Sequence, residues 1–282
     1  MIVKTIDQFQ KAVPTTVSIE NFSDVEPYIA SAELWTRSQV LGNDLYAYVD
    51  ALVDPAGDDL TLQKLCINII SNHAYWDAIP FLDLVHTESG FAVISANNKV
   101  PASKERVERL REQCLIRRDN ETELLITFLE GRIIYHDDWK GSPAYSVMTD
   151  CLIRTATELQ QYGSWEGSRR DFLKLRPKLI QETMMRLEPV FSKDYIEELI
   201  EKQRDNEIVG DDVKVIELLK YAIGSLVNGN PEAAEKIAAD ALRYMDSHLI
   251  SFPTYTASSE YLARTMANYE NDADSPIFSS LH

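Results

Sequence analysis

The second half of this 282-residue chain repeats the apolar pattern of its first half, and that repeat constrains the fold more than any single motif does. At an offset of 150, Phe22 falls on Phe172, Pro27 on Pro177, Val40 on Val190 and Asp44 on Asp194. Apolar positions coincide at the same offset: Val25/Leu175, Ile29/Leu179, Leu34/Met184, Trp35/Met185, Leu41/Phe191, Leu45/Tyr195, Tyr46/Ile196 and Val49/Leu199. A three-residue slip then brings Asp58-Asp59 onto Asp211-Asp212, Leu62 onto Val215, Leu65 onto Leu218 and Ile70 onto Ile223. Two copies of one helical unit need the same buried faces, so the pattern predicts two related domains in tandem.

The local signals within each copy are helical. Asp24 stands before a helix expected over 26–41, with Pro27 in its first turn, where a missing N–H costs nothing. Gly42-Asn43 ends it, a second helix runs from Asp44 to about Leu52, and 54–58 is a turn. A third helix, 60–81, carries Leu62, Leu65, Cys66, Ile69, Ile70 and His73 at helical spacing. Two short apolar runs flanking Thr87-Glu88-Ser89-Gly90 then predict a β-hairpin near 82–94. Ser103 precedes a long helix that stops at Gly131, with a polar stretch at 117–121 as an expected interruption. The second copy predicts helices near 175–189, 193–206, 213–228 and 231–249.

The expected fold is mostly α: two tandem related helical-bundle domains, with a small β-hairpin in the first. Residues 1–21 read as an N-terminal arm, 22–138 as the first domain, 139–250 as the second and 251–282 as a C-terminal tail. The turn residues Gly131, Gly141, Ser142 and Pro143 place the expected boundary within 131–145.

Composition narrows the classes of function. With 45 acidic and 28 basic residues the formal charge is −17, a surface that repels phosphate and disfavours generic nucleic-acid binding. No apolar run approaches the ~20 residues that cross a bilayer, so no membrane role is expected. The opening MIVKTIDQFQKAVP lacks the pattern of a secretory signal. Cys66, Cys114 and Cys151 lie in apolar helical patterns and read as buried free thiols of a reducing compartment.

Candidate chemistry is sparse. There is no GxSxG, P-loop or GxGxxG. His136-Asp137-Asp138 is the best metal-like cluster, but adjacent residues do not converge on one ion without a distant ligand. His73 and Asp77 make an i,i+4 pair. The recurring pairs Asp58/Asp59 and Asp211/Asp212 read as helix caps rather than as catalytic carboxylates. No catalytic residue, cofactor or metal is therefore expected. The partner-binding candidates are a basic island, Arg169, Arg170, Lys174, Arg176 and Lys178, and the apolar residues Ile277, Phe278 and Leu281 after a polar, turn-rich stretch.

One stretch, Phe22…Pro27-Tyr28-Ile29…Ala32-Glu33…Leu41-Gly42…Leu45-Tyr46, resembles the opening of helical head–tail connector (adaptor) proteins of tailed bacteriophages. Another, Trp139, Ser142 and then Ser168-Arg169-Arg170-Asp171-Phe172-Leu173-Lys174-Leu175-Arg176-Pro177, is similar to an uncharacterised group from phages and prophages of gut bacteria. The resemblance implies a structural virion protein, not an enzyme, made in the host cytoplasm and located in the virion neck. It implies a homo-oligomeric ring contacting the portal protein and tail or neck proteins, with DNA passing through without specific binding. The acidic charge suits such a channel. A cellular all-α tandem-repeat protein-binding module is the alternative, and an all-α enzyme whose residues converge only in space is the third reading.

Overall fold

Local capping rules and buried stripes account for most of the elements seen in a computed structural model, which describes residues 1–82, the backbone of 84–87 and 90–93, and 102–266. These residues form two compact units: Met1–Met148 with Gly167–Phe172, and Thr149–Glu166 with the chain from Leu173 onward.

In the first unit, helix α1 (Ile6–Ala12) opens with a capping box in which Thr5 accepts from the Gln8 amide and Gln8 reaches back to the Thr5 amide. Ile2, Val3, Phe9 and Val13 are buried in the unit's core. Residues 1–21 are therefore not the arm outside the core expected from the sequence. Their anchor is Glu33 of helix α2 (Glu26–Thr36), whose Oε1 accepts from the amides of Ile2 at 2.6 Å and Val3 at 3.1 Å. Helix α2 widens into a π turn (Arg37–Leu41) before α3 (Gly42–Ala51). Gly42 adopts φ 76°, and a Cβ there would stand 3.2 Å from the Cβ of Ser142, so both conformation and space demand glycine. Helix α4 (Gly57–Ala78) packs on α2, on α1 and on the long α5 (Lys104–Glu130), which runs through 117–121 without a break. Arg118 and Asp119, inside that polar stretch, are buried.

After α5 come a 3₁₀ turn (Ile133–Tyr135), α6 (His136–Trp139) and α7 (Pro143–Thr149). The expected boundary within 131–145 falls here, yet Trp139, Ala144, Tyr145 and Met148 belong to the first core. Trp139 is fully buried and its indole donates to the Val40 carbonyl at 2.9 Å, which ties the turn-rich stretch to α2 and α3. The first unit thus runs past residue 138 to Met148.

The expected hairpin near 82–94 is a correction to the fold class. Leu84–Thr87 and Gly90–Val93 pair antiparallel, with Leu84 opposite Val93 and Thr87 opposite Gly90, but they join no larger sheet. The packed body of each unit is all-helical, and among the described side chains no strand contributes to a core. A lone two-stranded hairpin is too small to form a layer of the fold. The fold class is all-α.

The second unit has α8 (Ala156–Gly163), capped by Thr155, and most of α9 (Arg169–Glu182). A π turn (Thr183–Leu187), α10 (Glu188–Phe191), α11 (Lys193–Arg204), α12 (Asp211–Val227) and α13 (Pro231–Asp246) follow. A 3₁₀ turn (Leu249–Ser251), α14 (Pro253–Thr256) and α15 (Ser259–Met266) complete it. Residues 251–266, expected as tail, are packed structure: Phe252 and Tyr255 are fully buried. Helix α12 crosses α8 where Gly224 meets Gly163, and a Cβ on Gly224 would fall 2.4 Å from the Tyr162 carbonyl oxygen.

Candidate functional site

The basic island begins at the first turn of α9, where Ser168 and Asp171 cap each other. Arg169 is buried and its Nη1 donates to Glu123 Oε1 of α5 at 2.6 Å. Arg170 Nε donates to Asp119 Oδ2 at 2.6 Å and its Nη2 to Glu112 Oε1 at 2.8 Å. The other oxygen of Asp119 accepts from Arg118 at 2.6 Å and 3.0 Å. The Arg118 guanidinium lies 4.5 Å over the ring of Trp35, and that of Arg111 lies 4.8 Å over Trp76. His73 stands against both tryptophans, 4.6 Å and 5.6 Å between ring centres. Burial, and then the Arg118 charge, lowers its pKa to about 4, so the ring is neutral at pH 7.

In the second unit, Arg176 Nη2 donates to Asp150 Oδ2 at 2.7 Å. Lys174 and Lys178 are exposed. The structure therefore scatters the five basic residues: Arg169, Arg170 and Arg176 engage carboxylates of this same chain, and the two lysines face outward. Ile277, Phe278 and Leu281 lie outside the described residues. The pairing of Arg169 with Glu123, 46 positions apart in sequence, had no local signal.

The paired aspartates sit inside the first turns of α4 and α12, after Ala56 and Gly210, and are not N-caps. Their carboxylates instead hold other elements. Asp59 accepts from Tyr48 at 2.8 Å and Tyr135 at 2.7 Å, and Asp58 pairs with Arg132 at 2.7 Å. Asp212 takes Lys202 at 2.7 Å and Tyr195 at 3.3 Å, and Asp211 takes Tyr244 and Ser251, each at 2.6 Å. These carboxylates are already engaged as structural staples.

His136 is buried with Nε2 2.9 Å from the Leu129 carbonyl, while Asp137 pairs with Lys140 at 3.1 Å. The residues of this cluster thus point to different tasks, and no group of three potential metal ligands converges among the described residues. Burial pushes the Cys66 thiol up to about 12 and those of Cys114 and Cys151 up to about 11, which suppresses thiolate chemistry.

What the surfaces do offer is apolar relief. In the second unit a groove of about 410 Å³ opens between the π turn, α10 and α13, lined by Met185, Leu187, Pro189, Val190, Ala238 and Leu242 among others. In the first unit a cleft of about 360 Å³ lies between α1 and α4. Ile134 and Ile250 project from the 3₁₀ turns that follow α5 and α13, Ile250 being 99% exposed. Sequence reasoning missed the groove. Its signal was the run of small residues Ala234, Ala238 and Ala239 on α13, which leave room where large ones would fill it.

Residues 19–148 match a family of unknown function, DUF6712, and the match ends at the residue that closes the main segment of the first unit. No curated protein and no solved structure matches the chain. No helix among the described residues is long and apolar enough to cross a membrane.

Proposed function

We propose that this chain is a structural virion protein, a head–tail connector that assembles as a ring between portal and tail around the DNA channel, and that it carries no catalytic activity. The observation that supports this reading most is the placement of charge. Arg169 and Arg170 turn onto Glu123, Asp119 and Glu112, and Arg176 onto Asp150, so much of the basic island is neutralised within the chain. The excess of 45 acidic over 28 basic residues then dominates the surface, and such a surface lets DNA slide without adhering. The helical order of the first unit agrees with the connector resemblance in its residues 22–46. A ring would be closed head-to-tail, with different patches of each protomer in contact. Its partners would be further copies, the portal protein and tail or neck proteins, and its place the virion neck.

The alternative of a cellular tandem-repeat binding module draws its support from the apolar groove beside α13. Mixing the protein with portal separates the two. Light scattering and electron microscopy should show a ring bound to portal, with no retention of duplex DNA at 50 mM salt. A monodisperse monomer in the presence of portal would overturn the connector reading.

A further inference from the structure

The groove of the second unit ends beside the point where the described chain stops. Arg264, in the last turn of α15, forms a paired salt bridge with Asp246 at the end of α13, one contact being 2.8 Å. Asp246 is one helical turn beyond Leu242, which lines the groove. Helix α15 also packs on α10, whose Pro189 and Val190 form the opposite wall. Leu262 and Met266 of α15 share one face and are both exposed, so an open apolar edge leads from the exit point. Beyond Met266 the sequence is polar through Pro276 and then presents Ile277-Phe278 and Leu281.

We propose that this groove is the docking site for the chain's own C-terminal segment, with Ile277 and Phe278 as the anchors. Reach permits it. The ten residues 267–276 span up to ~35 Å when extended, against the single helical turn between Leu242 of the groove and Asp246, which Arg264 holds. A tether that short holds its ligand at an effective concentration on the order of millimolar, which favours the same chain over a second copy. Charge is compatible: Glu270, Asp272 and Asp274 precede the anchors, and the groove wall carries Arg186, whose contacts to Glu182 and Glu235 are long, 3.7 Å and 3.9 Å. The volume of about 410 Å³ accommodates two large apolar side chains.

Two measurements on the full-length protein test the assignment. In the double variant Ala239→Cys/Phe278→Cys, mild oxidation at micromolar protein should close a disulfide within single chains. The native thiols stay out of the reaction because all three are buried. A disulfide found only between two chains would mean that a second copy fills the groove, and no disulfide would mean that nothing of this chain does; either result overturns the proposal. In the second measurement, a fluorescein-labelled peptide of residues 270–282 should bind Ile277→Asp/Phe278→Asp at least tenfold more tightly than wild type, whose groove is already filled. Equal binding to the two proteins would overturn it as well.

Discussion

Each unit anchors the start of a long helix through a pair of aspartates, but the donors are distributed differently. In the first, the inner aspartate of the pair, Asp59, is held by two tyrosine hydroxyls, and the outer one, Asp58, by the cation of Arg132. In the second, the inner Asp212 takes the cation of Lys202 together with the Tyr195 hydroxyl, and hydroxyls of Tyr244 and Ser251 take the outer Asp211. What persists is a negative charge in the first turn of a long helix, where it also meets the helix dipole. The donor is interchangeable, and it comes from the helix before, as with Tyr48 and Lys202, as well as from later segments. Arg132 and Ser251 both lie in the stretch just after the next long helix, α5 or α13.

The same comparison holds at other positions. Gly42 and Ser192 both take positive φ, 76° and 67°, at the starts of α3 and α11. Gly57 and Gly210 do so, at 60° and 58°, ahead of the long helix. Ser192 bears the strain of a left-handed backbone, and its hydroxyl compensates by accepting from the Tyr195 amide at 3.2 Å. Glycine needs no such compensation.

The largest expected break between the units is at a helix crossing. Gly224 corresponds to Ser71 at the offset of the paired aspartates. Gly224→Val drives a side chain into the Tyr162 carbonyl and should cost about 4 kcal/mol in urea unfolding. Ser71→Ala, which removes a buried hydroxyl with no hydrogen-bond partner among the described residues, should change stability by less than about 0.5 kcal/mol. Comparable losses would show that the crossings are not built differently.

Next is the basic island. Arg169→Met strips a buried cation from Glu123 and should cost about 3 kcal/mol, whereas Arg176→Met, facing the half-exposed Asp150, should cost less than about 1 kcal/mol. Restoring part of the loss with Glu123→Gln in the Arg169→Met background would sharpen the assignment to charge rather than packing.

Acid should weaken the first unit before the second. The folded pKa of His73, about 4, lies below its ordinary value of 6.5, so the unfolded chain takes up the proton first as pH falls. The stabilisation is complete above the ordinary value and is lost on the way down, about 2 kcal/mol between pH 7 and pH 5. His73→Gln should flatten that slope. In the second unit the folded pKa of Glu158 is lowered: burial opposes its charge, but Lys220 and Arg154 outweigh burial. Its contribution is present above the usual carboxylate range and lost only below it. A slope unchanged by His73→Gln would refute this order. The smallest contrast is between Asp212→Asn, about 1.5 kcal/mol, and the less buried Asp59→Asn, about 1 kcal/mol, measured by the same unfolding.

The helices and their glycine stops were legible because each depends on a few neighbouring residues. The burial of residues 1–21 and the place of Trp139 were not, because each depends on a partner far away in sequence: Glu33 for Ile2, Val40 for the Trp139 indole. The aspartate pairs show the same limit. Their sequence position signalled a helix start correctly, but the hydroxyls and cations that occupy them arrive from elements up to 76 residues away. The groove beside α13 was hidden for a different reason, since an alanine stripe reads equally well as tight packing or as empty space.

All three sulfur atoms sit inside the helical units, Cys66 fully enclosed and Cys151 with its Sγ 2.7 Å from the Ile153 carbonyl. At neutral pH almost none of them is ionised, and exchange with an oxidised thiol outside needs an ionised attacker. The folded protein should therefore keep in air without covalent clumping, and the appearance of reactive sulfhydryls becomes a direct reporter that one unit has opened.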